Sequence, residues 1–420
     1  MRIIADLHVH GRYSRATSQK LTIKNLEKFA VIKGVNLLGT GDFTHPLWIK
    51  ELKTELIEDG SGVLRTKNGF PFILQTEVSL VYTQDNKGRK IHLVVLAKNF
   101  EVVDSITEEL KKHGRVDYDG RPIFNMSCPV FVEIVKSIDD SVEIIPAHIW
   151  TPWFSLFGSN SGFDSVKECF QDTTRHIHAL ETGLSSDPAM NWRLSQLDNY
   201  SLVSFSDLHS FWPWRIGREA TVFEINKLTY QNIIKALKTR QGLVETIEVD
   251  PSYGKYHYDG HRNCNVSLSP REAIRHNNIC PKCKKRLTIG VLHRVEELAD
   301  RPEGFKPKCA VPFRTLIPLS EILSTILKKS ISSQQVWNLY YKLVNNERSE
   351  FDVLLDMPHD KLTLLTNKTI ADAIIDNRNG KIVVKPGFDG EYGIPLIGGK
   401  ILENNKKKLE PRQTGLKDFC

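Results

Sequence analysis

The strongest constraint on the fold is an alternation of strand-like apolar runs with helix-like segments over residues 1–225. The runs are rich in Ile, Val and Leu, as strands buried on both faces are. They occupy residues 2–7, 35–39, 72–80, 91–96, 142–146, 177–180 and 202–205. Such alternation implies a parallel sheet or a barrel. Seven runs without a glycine-rich nucleotide loop favour an α/β fold of the (β/α)7-barrel type over a doubly wound sheet.

The remainder of the chain predicts additional modules. A chain of 420 residues is longer than a domain with a single hydrophobic core usually is. The composition changes near Glu248, where Tyr, His, Asn, Cys and Lys replace the apolar runs, and helical patterns return after Pro318. We therefore expect a catalytic barrel over 1–245, a zinc-binding subdomain over 246–312, a mainly helical domain over 313–400 and a flexible tail over 401–420.

Bulk properties exclude several classes of protein. No apolar run is long enough to span a bilayer and the N-terminus lacks the layout of a signal peptide, so we expect a cytoplasmic protein with no membrane partner. The seven cysteines are an odd number, which argues against a disulfide framework. The net charge of +7 indicates a polyanionic partner only if a site agrees with it.

Histidine and acidic residues cluster where the predicted strands end. The C-terminal strand ends of a barrel form one rim, and alternate residues of a strand point to the same side. The candidate ligands are His8, His10, Asp42, His45, Glu77, His92, His148, Asp207 and His209. These residues are more ligands than one tetrahedral ion can take, so we expect two or three divalent ions. Zinc is the first candidate, with magnesium and manganese as alternatives. Whether Asp42 or His45 is the ligand after the second strand stays open.

A rim of this kind predicts hydrolysis. Paired ions lower the pKa of a bridging water and stabilise the leaving oxygen of a phosphoryl group. Asp207, His148 and His10 are the candidates for catalysis and proton transfer. Each of these residues alone could be a side chain packed in the core. Because they occur as pairs at two strand ends and as single residues at other strands, a metal site is the better explanation. Glu181, after the sixth strand, could also face the site.

These residues resemble the PHP (polymerase and histidinol phosphatase) family over residues 1–225. The resemblance is carried by Asp6-Leu7-His8-Val9-His10, Gly41-Asp42, Glu77, His92, His148 and Ser206-Asp207-Leu208-His209. The family commonly has Asp-His in its second motif, where this chain has Asp42-Phe43. This difference from the family leaves open which residue is the ligand after the second strand.

A second resemblance covers nearly the whole chain. The phrase Gly217-Arg218-Glu219-Ala220-Thr221, the Cys-rich insert and the helical C-terminal part resemble endonuclease Q. That family nicks DNA on the 5′ side of deaminated bases (uracil, hypoxanthine, xanthine) and of abasic sites. The resemblance implies that the substrate is damaged DNA, double-stranded or single-stranded, and that cleavage uses several metal ions.

The insert has the spacing of a zinc site. His261 and Cys264 form one ligand pair, and Cys280 and Cys283 form a second with a two-residue gap. His257 or Cys309 could replace His261. Four protein ligands leave no open position, so the predicted zinc is structural. The insert is also basic, and such a surface either holds phosphates or is simply solvated.

Two aromatic loops follow the predicted metal ligands. One contains Trp150, Trp153 and Phe154 after His148, and the other contains Trp212, Trp214 and Arg215 after His209. An enzyme that acts on an altered base must unstack it and enclose it. We therefore expect one loop to wedge the duplex and the other to line a base pocket. Packing of the loops onto the barrel is the alternative.

The last residues resemble the sliding-clamp peptide of repair enzymes. Gln413, Leu416 and Phe419 have its spacing, although Cys420 stands at the final aromatic place. The peptide ends a basic tail, which predicts a sliding clamp of the proliferating cell nuclear antigen type as a partner.

Three functions compete. The first is a damage-directed DNA endonuclease. The second is a small-molecule phosphatase of the histidinol-phosphate type, which would need neither the zinc insert nor the basic tail. The third is a non-catalytic DNA-binding module with a decayed rim, and the nearly complete ligand set argues against it.

Overall fold

The structure, a computed structural model, describes residues 1–397 and has a mixed α/β fold. The clamp-like residues Gln413, Leu416 and Phe419 lie outside the described residues. Among the described residues, no helix has the length and apolar character needed to cross a membrane.

The strands are β1 (Arg2–Asp6), β2 (Leu37–Gly39), β3 (Ile57–Glu58), β4 (Leu64–Arg65), β5 (Pro71–Gln84), β6 (Lys87–Ala97), β7 (Ile123–Phe124), β8 (Glu143–Pro146), β9 (Ala179–Glu181), β10 (Ser201–Val203), β11 (Ala220–Glu224), β12 (Leu243–Glu248), β13 (Asp259–His261), β14 (Val266–Leu268), β15 (Phe313–Thr315), β16 (Val383–Lys385) and β17 (Ile394–Leu396). The helices are α1 (Ile23–Lys33), α2 (Pro46–Glu55), α3 (Phe100–Lys111), α4 (Cys128–Ile138), α5 (Val166–Phe170), α6 (Pro188–Asn191), α7 (Tyr230–Thr239), α8 (Pro270–Arg275), α9 (Val291–Leu298), α10 (Leu319–Leu327), α11 (Gln334–Leu343), α12 (His359–Leu365) and α13 (Lys368–Arg378).

The seven apolar runs all contain strands, namely β1, β2, β5, β6, β8, β9 and β10. Pairing is parallel between β1 and β2, between β2 and β5, and between β9 and β10. After β10 the chain returns to β1, where Val9 and Leu208 form a parallel bridge. This bridge places the residues that follow β1 beside those that follow β10.

The expectation of parallel pairing throughout is wrong at β6, which pairs antiparallel with both β5 and β8. The cause is the connection between β5 and β6. Only Asp85 and Asn86 separate the two strands, and both have positive φ, +53° and +59°. A two-residue turn of this kind joins antiparallel neighbours, because a parallel pair needs a long crossover.

Local sequence determines how α1 begins and ends. The Thr22 side chain accepts a hydrogen bond from the backbone N–H of Asn25, which satisfies one free donor at the helix start. Gly34 ends the helix in the left-handed region at φ +96°, where a Cβ is unfavourable. Leu26 and Phe29 are buried against the sheet, and each such side chain stabilises the fold by roughly 1.5–3 kcal/mol.

Separate cores accompany the change in composition along the chain. Two large clusters surround the strands of the first half. A third lies within the C-terminal helices, between Ile317 and Ile374. The insert has a small cluster of its own, Val266, Ala273, Cys280 and Leu287, while Val291 and Val295 of α9 join the first large cluster. A core of that size cannot stabilise a subdomain without a cross-link such as a bound metal ion.

Candidate metal centre

Two groups of ligand-type side chains meet at the strand ends. The first is His8, His10 and Asp207, and the second is Glu77, His92 and His148. Within each group the potential ligand atoms lie within 4.8 Å of one another. The antiparallel register pairs Ser79 with His92, so Glu77 and His92 share one face of the sheet.

Glu77 joins the two groups. Its Oε1 lies 3.5 Å from Nε2 of His8 and 3.1 Å from Nε2 of His148. Its Oε2 lies 3.5 Å from Nε2 of His10. Among the described residues, none forms a hydrogen bond with the buried atoms Glu77 Oε2 and His8 Nε2. Buried polar atoms are almost always paired, so this arrangement fits metal ions bound between the groups.

Carboxylates behind the imidazoles orient them. Nδ1 of His8 lies 3.0 Å from Glu181, and the backbone N–H of His148 donates to the same carboxylate at 2.7 Å. Nδ1 of His10 lies 3.0 Å from Oδ1 of Asp42. An outer carboxylate of this kind holds Nδ1 as the protonated nitrogen and turns Nε2 toward the metal. The Asp42 carboxylate thus orients the His10 ring through its contact with Nδ1.

The structure separates Asp42 from His45. Oδ2 of Asp42 accepts hydrogen bonds from Gly11 N at 2.6 Å and from the Ser14 hydroxyl at 2.8 Å. The His45 ring is stacked on Tyr13, with a centroid distance of 4.7 Å. Neither residue belongs to any of the three ligand groups found among residues 1–397. His209 also lies outside them, with its ring 4.8 Å from that of His10.

Backbone strain is concentrated at this site. Asp42, His148 and Asp207 have φ of +45°, +30° and +46°, a region that residues with a Cβ rarely adopt. The buried Asp6 anchors the chain beside Asp207, because its carboxylate accepts from the backbone N–H of Ser206 at 3.0 Å and of Gly217 at 2.9 Å. The strained residues thus include one member of each strand-end ligand group and the carboxylate that orients His10.

The charges of the cluster favour ionised carboxylates. Burial opposes ionisation of Asp207, but the imidazoles of His209, His8 and His10 hold its pKa well below the usual range. Burial likewise opposes ionisation of Glu77, and the imidazoles of His92 and His8 hold its pKa low. Carboxylates must be ionised to bind metal, so both are ready at neutral pH.

Arg121 is a site residue that sequence reasoning missed. Its Nη1 lies 3.7 Å from Oε2 of Glu77, and its side chain is 22% exposed. Its backbone N–H donates to Oδ1 of Asp119 at 3.2 Å, which orders the loop before β7. The negative charges of Glu77 and Asp207 outweigh burial and raise the Arg121 pKa. Arg121 follows no strand, so no spacing in the sequence could have found it.

The aromatic loops divide between surface and core. Trp153 and Trp212 are 43% and 38% exposed. The Phe154 ring lies 4.7 Å from that of His92. Trp214 stacks on Trp212, and Arg215, half-buried, follows in the same loop.

Trp150, expected from the sequence to contact DNA, lies in the interior of the protein. Its side chain is buried, and its indole N–H donates to Oδ1 of Asn191 at 2.7 Å. Its ring packs on Phe157 at 4.8 Å. It therefore has no face for a base, and the packing alternative holds at this position.

A third ligand group lies in the insert. His261, Cys264, Cys280 and Cys283 have potential ligand atoms within 4.8 Å of one another. Although burial alone would raise it, backbone N–H groups of Cys283 and Lys282 lower the pKa of Cys280 to about 6. His257 and Cys309, the alternatives to His261, do not belong to this group. His257 is buried against Tyr258, and Cys309 is exposed.

Known proteins with similar sequence and structure are consistent with this geometry. A family model described as the MJ0043 C-terminal domain matches residues 318–381. The lesion-specific endonuclease PfuEndoQ from Pyrococcus furiosus is 33% identical, with a TM-score of 0.86 over 97% of this chain and 98% of that chain. An endonuclease Q in complex with a 27-mer duplex that has an abasic lesion at the active site is 33% identical, with a TM-score of 0.84 over 98% and 100%.

A curated relative is longer. The uncharacterized protein MJ0043 of Methanocaldococcus jannaschii is 33% identical over 289 residues, which is 67% of this chain. The match covers 34% of that protein, so the chain spans about a third of this relative's length.

Proposed function

The chain belongs to the endonuclease Q family, and from this we propose that it is a metal-dependent DNA repair endonuclease. We propose that it hydrolyses the phosphodiester on the 5′ side of deaminated bases (uracil, hypoxanthine, xanthine) or of abasic sites. The observation that carries the proposal is Glu77, which belongs to the second ligand group and also lies 3.5 Å from His8 and His10 of the first. The fold around it matches a lesion-specific endonuclease along its length.

We propose two metal positions. His8, His10 and Asp207 would hold one ion, and Glu77, His92 and His148 would hold the other. Paired ions supply a hydroxide nucleophile and stabilise the oxygens of the reacting phosphate. Two positions are favoured over three, because His45 packs on Tyr13 and His209 lies outside both groups.

Arg121 and His209 have separate roles beside the proposed metal positions. The Arg121 guanidinium, beside Glu77 and partly exposed, binds a non-bridging phosphate oxygen of the substrate. His209 stays neutral, since burial lowers its pKa to about 4. Its Nδ1 lies 3.0 Å from the carbonyl oxygen of Asp207 and donates to it, so Nε2 is the unprotonated nitrogen of the ring.

We also propose the finer architecture. Strands β1, β2, β5, β6, β8, β9 and β10 make a PHP-type (β/α)7 barrel within residues 1–245, and the Val9–Leu208 bridge supports its closure. Residues 246–312 form a subdomain stabilised by one structural zinc, which His261, Cys264, Cys280 and Cys283 would hold. Residues 313–400 form the helical domain.

The tail at residues 401–420 is proposed to bind a sliding clamp of the proliferating cell nuclear antigen type. The proposal rests on the spacing of Gln413, Leu416 and Phe419. Such a partner would bring the enzyme to chromosomal DNA inside the cell.

The test compares substrates on the purified full chain. Duplexes with uracil, hypoxanthine, an abasic site or no lesion are incubated with zinc, magnesium or manganese beside a phosphate monoester. We expect nicking 5′ of the lesion only in damaged DNA. Asp207→Asn should lose nicking while still binding DNA, and Asp104→Asn, an exposed carboxylate in α3, is the matched control. Cleavage of the monoester alone would indicate the small-molecule phosphatase instead.

A further inference from the structure

A cluster of three tryptophans joins the loop after His209 to the C-terminal helices. Trp212 and Trp214 stack with a centroid distance of 5.2 Å and an interplanar angle of 3°. Trp337, from α11, lies 5.7 Å from Trp212 and 5.6 Å from Trp214. We call Trp212, Trp214 and Trp337 the tryptophan cluster. It combines side chains from two parts of the chain that are more than a hundred residues apart.

The tryptophan cluster is only partly used for packing. Phe211 and Tyr340 form its buried side. Trp212 is 38% exposed, and Tyr341, which lies 5.5 Å from Trp337, is 47% exposed. Trp212 and Tyr341 therefore keep apolar ring surface in contact with water, and covering such surface with a ligand is favourable. The exposed rings therefore offer a flat apolar surface to a ligand.

The position of the cluster identifies the ligand. Trp212 stands three residues after His209, whose ring lies 4.8 Å from that of His10 in the first ligand group. Arg215 follows in the same loop and supplies a positive charge for a phosphate backbone. Aromatic rings beside cationic groups are the surface on which unpaired nucleobases stack, and the stack tolerates every base.

A buried ion pair fixes the loop that bears the cluster. Nζ of Lys33, at the end of α1, donates to the carbonyl oxygen of Pro213 at 3.0 Å and to Oε1 of Glu350 at 2.7 Å. The Tyr340 hydroxyl donates to Oε2 of Glu350 at 2.7 Å. Lys33 and Glu350 are buried, and buried pairs contribute little net stability while they define geometry. Pro213 lies between Trp212 and Trp214, so this network sets where both rings stand.

We propose that the tryptophan cluster is a stacking surface for an unpaired nucleobase of the DNA substrate, assembled by the Lys33–Glu350 ion pair. The proposal rests on the proposed function, because it takes DNA as the substrate. Trp337 and Tyr341 give the helical domain a direct part in substrate binding. Lys33 and Glu350 are positioning residues, since they touch the loop and not the DNA.

The test measures stacking and affinity rather than cleavage. Duplexes carry 2-aminopurine either opposite an abasic site or in a mismatch at the lesion position. The two placements separate the unpaired base of the opposite strand from the unpaired base at the lesion. In the nicking-deficient Asp207→Asn background, binding should quench 2-aminopurine fluorescence for one of the two placements. Trp212→Ala and Trp337→Ala should relieve the quench and weaken binding of that duplex roughly fivefold to a hundredfold. Affinity for a fully paired duplex should stay the same.

Matched variants separate stacking from stability. Leu364→Ala removes an exposed side chain from α12, in the same domain, and should change neither signal. Trp337→Phe keeps an aromatic face and should give an intermediate quench, which covers the case in which Trp337→Ala fails to fold. The paired change Lys33→Met with Glu350→Gln avoids an unpaired buried charge and should reduce the quench with both tryptophans intact.

Each outcome decides between the two proposals. Unchanged quench and affinity in Trp212→Ala and Trp337→Phe would overturn the stacking surface, even if the wild-type protein nicks damaged DNA. Wild-type protein that neither binds nor nicks damaged DNA would overturn the proposed function and the stacking surface together. Lost binding to paired and unpaired duplexes alike would contradict a base-specific role for the cluster.

Discussion

Glu181 accepts a hydrogen bond from Nδ1 of His8 at 3.0 Å, and both side chains are completely buried. The same carboxylate accepts the backbone N–H of His148 at 2.7 Å. Glu181 therefore holds the side chain of His8 in the first ligand group and the backbone of His148 in the second. This relationship makes it the support on which the proposed metal centre most depends.

Replacing Glu181 with Gln should weaken metal binding by about 10–100-fold, because the amide still accepts a hydrogen bond but no longer raises the basicity of His8. Metal content after dialysis against graded chelator concentrations measures the change. Glu108→Gln, an exposed pair with Lys111, is the control. Metal affinity equal to that of the wild-type protein would show that the carboxylate does not support the centre.

Replacing Arg121 with Ala should remove one phosphate contact. The slope of log Kd for DNA against log salt concentration should then fall by about 1, and binding should weaken for every sequence. Arg115→Ala changes an exposed arginine in the same loop, paired with Asp117, and serves as the control. Equal salt slopes for the two variants would place Arg121 away from the phosphate.

Replacing Cys283 with Ser should release one zinc equivalent and loosen the insert, whose own core is small. Zinc analysis and limited proteolysis between residues 246 and 312 report the two effects. Cys309→Ser alters an exposed cysteine outside the ligand group and should change neither. Retained zinc in Cys283→Ser would rule out this ligand set.

The buried pair Glu219 and Glu248 should make stability fall as pH rises. Burial raises the pKa of Glu248 to about 8, although Thr246 and Thr182 donate hydrogen bonds to it. Burial and the charge of Glu248 also raise the pKa of Glu219. Since the folded pKa lies above the unfolded value of 4.5, the unfolded chain releases protons first. The free energy of unfolding should therefore decrease between about pH 5 and pH 8.

Glu248→Gln tests this pH dependence, because it keeps the shape of the protonated acid and removes its titration. Urea unfolding at several pH values should show a flatter profile in the variant, with the largest gain over the wild-type protein near pH 8. Glu224→Gln, at an exposed position on β11, is the control. Parallel profiles for Glu248→Gln and the wild-type protein would mean that Glu248 does not titrate between these pH values.

Much of the site could be predicted from local pattern. The apolar runs located the seven strands, since a strand buried on both faces must be continuously apolar. Alternation along a strand placed His8 and His10 on one side, and both enter the first ligand group. The two-residue gap between Cys280 and Cys283 likewise predicted members of one ligand group.

Other features depend on residues that meet only after folding. Arg121 reaches Glu77 from a loop that follows no strand. Trp150 looked like a surface aromatic but is buried beside Asn191. Trp337 joins Trp212 from a different part of the chain. Sequence spacing carries information only over a few residues, whereas these contacts depend on how distant elements pack.

The sequence by itself determined seven of the strands, the residue types at their ends and the Cys-x-x-Cys spacing of the insert, because each follows from short-range periodicity and side-chain type. Only the tertiary structure decided that Glu77 of one ligand group also lies against His8 and His10 of the other. It likewise decided that Asp42 orients His10 while His45 packs on Tyr13, and that the tryptophan cluster spans two parts of the chain. The physical reason is that these relationships are distances between residues far apart in sequence, which are set by packing of the whole fold.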